Sequence, residues 1–296
     1  MTSNQPAAAF ESTLCLPDRQ KSCFACCPPI RPAGYEHIQD RRFIQRMLRE
    51  HTRAFPANLL EPKPITGFSC WALGYLDDRY RLVGCLLHPA KNNGCERRHL
   101  IRFGDKCRRE SCPPAMVFQT LEPEARRFWI RLTDGLDAFQ YSSRRWNPLF
   151  NLMGWGRKTL QMIWEKEGGT ELKRQTFLRA YPFFSTSLHP SGHAYLLHHF
   201  LESQGPGILK RASFCRFFEK KAAVMAGQLK KIPVYQEGSP FTHRLNMDPD
   251  FLNFLRLSVG IRRIDLEGAE ALKEMTDDML LRDGPDNDWH TRRDQS

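Results

Sequence analysis

Nine of the ten cysteines lie between residues 15 and 112, and only Cys215 lies beyond. That crowding constrains the fold more than any other feature, because thiols placed so close together must pack, bridge or bind. The stretch KSCFACCPPIRP (21–32) holds Cys23, Cys26 and Cys27 within five positions and is then interrupted by Pro28 and Pro29. Its Cys-x2-Cys spacing, Cys23 to Cys26, lets a short turn bring two sulfurs to one tetrahedral ion. Cys26 and Cys27 are neighbours, and adjacent side chains in extended backbone point to opposite sides. The doublet therefore implies either two sites or one site with a spare thiol.

The compartment decides between disulfides and metal. The opening residues MTSNQPAAAFEST have neither a basic start nor an apolar run of signal length, and no later stretch holds eighteen uninterrupted apolar residues. The expectation is a cytoplasmic chain with no membrane segment. In a reducing compartment, clustered thiols point to metal ligation or redox chemistry rather than to structural disulfides.

Downstream, GFSCWALGYLDDRYRLVGCLLHP reads as a β-hairpin hinged at Asp77 and Asp78, which puts Cys70 opposite Cys85 on one face. KCRRESCPP places Cys107 and Cys112 near a helix end, where the chain turns and presents both. His88, followed by Pro89, reads as a turn residue bonding to backbone, with metal ligation as the alternative. Before the hairpin, YEHIQDRRFIQRMLREH sets Ile38, Phe43, Ile44, Met47 and Leu48 on one side of a helix.

The motifs SCFACC, CWAL, GCLLHP and KCRRESC, in that order, resemble a bacterial family of zinc- or iron-chelating domains with a CxxCxxCC signature. The chain lacks that family's first Cys-x2 step. The resemblance covers roughly residues 15–112, and by position it implies Cys23, Cys26, Cys27, Cys70, Cys85 and one or both of Cys107 and Cys112 as metal ligands. Cys15 and Cys95 fall outside the matched positions. The flagellin lysine methylases are similar in carrying such a module beside a larger helical region, which implies protein or peptide modification. All-thiolate coordination suits zinc and an iron-sulfur cluster alike.

After Pro113 and Pro114 the apolar period becomes helical. LEPEARRFWIRLTDGLDAF spaces Phe128, Trp129, Leu132, Leu136 and Phe139 as one helix, and further helices are expected at about 148–167, 170–180, 191–203, 207–230, 248–258 and 264–281. In FFSTSLHPSGHAYLLHHF, Pro190 fits a first helical turn capped by Ser187 or Ser191, a structural reading preferred over catalysis by His189 and His193. Cys215 reads as a small buried apolar residue. No phosphate-binding glycine loop and no nucleophile elbow is present.

The expected fold is mainly α, a cysteine-rich metal-binding module with a small β-hairpin packed on a helical body. Its parts are a flexible N-terminus (1–14), the module (15–115), the helical body (116–282) and a disordered tail (283–296). Net charge is +11 and turns acidic beyond residue 232. A basic helical surface that docks a protein or peptide substrate follows, with electron transfer as another role. The alternative is a nucleic-acid-binding protein with a structural zinc site, since Arg and Lys alternate with aromatic residues in ARRFWIRL and SSRRW.

Overall fold

Residues Arg41–Ala54 form the first helix, α1, with Ile44 and Leu48 fully buried and Met47 packed beside them. Phe43, expected on the same face, is 47% exposed and lies under the Arg46 guanidinium. One residue turns a helix by about 100°, which carries Phe43 off the line that Ile44 and Leu48 share. The computed structural model describes residues 12–25, 27, 36, 38–55, 60–66, 69–102, 107, 112–168, 173–233 and 238–282. The expected ligand Cys26, the tail 283–296 and residues 1–11 of the expected flexible terminus lie outside these described residues.

The chain is mainly α with one antiparallel hairpin and forms two compact units, Met1–Phe150 and Asn151–Ser296. In the hairpin, β1 (Leu73–Tyr75) pairs with β2 (Val83–Cys85). Its register differs from the expected one: Cys85 faces Leu73, not Cys70. A two-residue Asp-Asp turn needs positive φ at both positions. Instead, Asp77 Oδ1 accepts the backbone N–H groups of Arg81 (2.9 Å) and Leu82 (2.7 Å), which holds a wider loop in which Tyr80 takes φ +56°. Cys70 sits one turn ahead of the strand, its carbonyl accepting Leu73 N–H at 2.9 Å.

A two-stranded sheet exposes backbone groups along both outer edges, and here side chains satisfy them. On the β1 edge, His51 Nδ1 donates to Leu73 O (3.0 Å) and Tyr75 N–H donates to Thr52 Oγ1 (2.8 Å), both partners coming from α1. On the β2 edge, the buried Ser22 hydroxyl accepts Val83 N–H (2.6 Å) and donates to Val83 O (2.7 Å). The irregular segment that bears Ser22 is itself tied down: Phe24 N–H donates to Ser142 Oγ (3.0 Å), and the Tyr141 hydroxyl donates to Leu14 O (2.9 Å). Phe24 meets Phe139 edge to face at 5.2 Å in the core that Ile44, Leu48, Leu73, Val83 and Leu100 complete.

The expected single helix after Pro123 is two: α3 (Pro123–Ile130), following α2 (Pro113–Gln119), and α4 (Ala138–Ser142), whose Asp137 and Gln140 form a capping box. Gly135, at φ +79°, breaks the continuity. The five spaced apolar residues are buried all the same.

The second unit follows the short helix α5 (Leu149–Met153) with α6 (Gly156–Glu167), α7 (Arg174–Ala180), α8 (Pro190–Gln204), α9 (Ala212–Leu229), α10 (Pro249–Phe254) and α11 (Leu266–Arg282). A π-helical turn, Leu255–Val259, extends α10. Buried Trp155, Phe183, Phe214 and Phe218 meet through this core in tilted, stacked and edge-to-face pairs. No helix among the described residues is long and apolar enough to cross a membrane.

Replacing Ser22 with Ala strands two buried backbone groups of Val83. The substitution should destabilise the first unit by about 2–3 kcal/mol, measured by urea unfolding, while Ser12→Ala should stay close to wild type.

Candidate functional site

Among the described residues, most of the N-terminal cysteines fall in two groups, not one. Cys70 ends the segment before β1, Cys85 ends β2, and Cys107 lies beyond the hairpin. These three thiols stand close enough for charge on one to oppose charge on the others. Burial is the first cause that pushes Cys70 up to about 11 and Cys85 up to about 12. Arg98 acts in the opposite sense on Cys85, and its Nη1 donates to Cys107 O at 3.1 Å, which fixes the Cys107 segment beside the hairpin. Glu96 holds that guanidinium through Nε at 2.9 and 3.0 Å, and the Arg98 hydrogen bonds hold the Glu96 carboxyl down to about 2. Cys27 and Cys85 both pack against the core that contains Cys70.

The second group lines a cavity of about 40 Å³: Cys15, Cys23 and Cys112, with Arg144 in the same wall. Cys23 N–H donates to Cys15 O at 2.8 Å. Burial raises the Tyr141 hydroxyl well above its ordinary value, and Cys23 and Cys15 add to the rise. Cys107 and Cys112, expected to act from one turn, thus join different groups, as do Cys23 and Cys27. Cys15, outside the matched pattern, belongs with Cys23. Cys95 is exposed, Cys215 is half-buried on α9, and His88 is an exposed turn residue whose N–H donates to Cys85 O at 3.1 Å. Among the described residues, no three His, Cys, Asp or Glu side chains are grouped so as to hold one metal ion.

In the second unit the histidine-rich stretch starts a helix with Pro190 in its first turn, as expected, but without the expected serine cap. Helix α8 runs from Pro190 with His189 at its N-cap and no side-chain cap, so neither Ser187 nor Ser191 takes that role. His193 Nδ1 donates to His189 O at 2.9 Å, a structural bond within the first turn. His198 and His199, two more histidines of that stretch, line a cleft of about 630 Å³. His198 Nε2 donates to Trp155 O at 3.1 Å, leaving Nδ1 facing Asp250 Oδ2 at 3.5 Å. Burial pushes His198 down and Asp250 up, so each is biased toward its neutral form. Gly156, at φ +85°, lets the backbone pass; a Cβ there would sit 3.3 Å from the His198 ring. The His198 partner lies more than fifty residues away in sequence, so no local motif marks this pair.

Comparison with protein-family models, curated proteins and solved structures gave no match.

Cys70 and Cys85 both bind their protons more tightly when folded than at the ordinary value of 9.0. Their contribution to stability is therefore complete below about pH 9 and is lost as pH rises toward 11 and 12. Metal-free protein should lose melting temperature over that range, and Cys85→Ala should flatten the decline.

Proposed function

We propose that the first unit binds zinc or an iron-sulfur cluster through thiolates centred on Cys70, Cys85 and Cys107. The observation that supports this reading is that thiols from three separate segments, Cys70, Cys85 and Cys107, lie near enough to influence one another electrostatically, with Arg98 beside the last two, although they are not grouped as ligands of one ion. Cys27 packs on the same core, and Cys26 and one more group, Cys15, Cys23 and Cys112, complete the thiol supply.

The donor chemistry fits a soft, thiolate-preferring metal. In the metal-free chain, burial keeps Cys70 and Cys85 protonated, and a cation reverses that preference because its charge stabilises the thiolate. Binding therefore releases protons and draws the thiols together. The metal, when bound, would supply either a structural cross-link between segments with little regular structure or an electron-transfer centre. Arg98 holds the Cys107 carbonyl, and the Ser22 bonds hold Ser22 and the adjoining Cys23 against β2. In this reading the protein is cytoplasmic and works in electron transfer or in protein or peptide modification, the latter as the likeness to the flagellin lysine methylases implies.

Anaerobic purification with metal analysis and an absorption spectrum tests the reading. Wild type should carry metal; Cys70→Ser, Cys85→Ser and Cys107→Ser should each lose most of it; and Cys95→Ser should keep it. A brown protein that bleaches on reduction identifies a cluster, and a colourless one with stoichiometric zinc identifies zinc. Wild type free of both, or unchanged content in the three variants, overturns it.

A further inference from the structure

Helix α1 carries five arginines and one carboxylate, and one arginine is used differently from the other four. Arg41 pairs with Asp137 at 2.7 Å and lies over the Phe139 ring at 5.0 Å, which makes it part of the packing. Arg42, Arg46, Arg49 and Arg53 are exposed, and among the described residues no carboxylate pairs with any of them. Glu50, four residues after Arg46, forms no ion pair with it. At 3.6 residues per turn, the steps from Arg42 to Arg46, Arg49 and Arg53 keep the four within about 60° of one another, on the side away from buried Ile44 and Leu48. The result is one straight line of positive charge, about 16 Å long at 1.5 Å per residue.

Two exposed aromatic rings border this line. The Arg46 guanidinium lies over Phe43 at 5.8 Å, and that of Arg49 lies over Tyr80 at 5.4 Å. Tyr80 holds φ +56°, a conformation that bulky residues rarely adopt, and its ring meets Tyr75 edge to face at 5.0 Å. The hairpin loop thus spends backbone strain at the residue whose ring stands beside the arginines. The platform is fixed, because His51 and Thr52 of the same helix bond to β1. By contrast, Arg127 of ARRFWIRL, a segment whose composition suggested nucleic acid, is paired with Glu124 at 2.7 Å.

A partner for this face must present negative charges in a row and flat rings beside them. A membrane surface takes an amphipathic helix by its apolar side, which α1 has already buried in the core. An acidic peptide supplies charge and leaves the rings unused. A stacked nucleic-acid strand carries one charge per about 3.4 Å, so the line spans about five phosphates, and unpaired bases stack on aromatic rings and on guanidinium planes. We propose that this face of α1, with Tyr80 of the hairpin, is a docking surface for single-stranded nucleic acid. The arginines meet successive phosphates, and bases stack on Phe43, Tyr80 and the guanidiniums over them. Metal binding by the thiols is not required for it.

The test is fluorescence anisotropy of the full chain with a fluorescein-labelled oligothymidylate of about twenty nucleotides, which forms no duplex. Titrations at fixed pH across about 50 to 200 mM NaCl should give a slope of log affinity on log salt of about −3, the value for four phosphate contacts on a single strand. The double variant Arg46→Gln, Arg49→Gln should bind about tenfold or more weakly at the lowest salt, with the slope reduced by about 1.4. Arg216→Gln with Lys220→Gln, an equal loss of charge at exposed positions of α9, should keep the wild-type slope. Phe43→Ala and Tyr80→Ala should each weaken binding by about fivefold or more and leave the slope unchanged. No binding at the lowest salt, or an equal loss in the α9 variant, would overturn the proposal. So would tighter binding to a duplex of the same length, to polyglutamate or to phosphatidylserine vesicles, or wild-type affinity in both aromatic variants.

Discussion

A hairpin of two three-residue strands has no interior strand, so its stability depends on what meets its two outer edges. In this chain, side chains take the place of neighbouring strands. His51 and Thr52 serve β1 from a helix, and one hydroxyl, Ser22, serves both backbone groups of Val83 on β2. The second contact has the larger consequence. It fastens a segment without regular structure, the one that carries Cys15, Cys23 and Cys27, to the strand that ends in Cys85. Phe24 then buries itself against Phe139, and the segment gains a hydrophobic anchor as well as a polar one.

The position of each thiol follows from these attachments. Cys23 and Cys27 flank the Phe24 anchor and turn toward different surroundings, the first toward Cys15 and Cys112, the second toward the core shared with Cys70 and Cys85. Burial and mutual repulsion favour protonated thiols at Cys70 and Cys85, while Arg98 favours charge at Cys85. Burial wins in the metal-free chain. In the proposed metal-bound form, the cation would add to the weaker side of that competition.

Much of this fold could be read from sequence: the helical second half, the buried apolar spacing from Phe128 to Phe139, the α1 stripe at Ile44 and Leu48, and the existence of the hairpin all follow from periodicity. The register did not, because a single Asp77 side chain bonding two backbone N–H groups outweighs the Asp-Asp turn that the residue types suggest. The helix break at Gly135 was also hidden, since periodicity reports which face is buried and not whether the backbone is continuous. Thiol grouping depends on long-range contacts such as Ser22 with Val83, which no spacing encodes. The His198–Asp250 pair was missed for the same reason, although the doublet His198-His199 is a visible signal beside a strongly apolar helix face.

X-ray absorption at the metal edge of the anaerobically isolated protein tests the central claim most directly, since it counts the atoms around the metal. Expected is a first shell dominated by sulfur at about 2.3 Å, with the metal signal largely lost in Cys85→Ser. A first shell of nitrogen and oxygen alone, or one unchanged in Cys85→Ser, would contradict it.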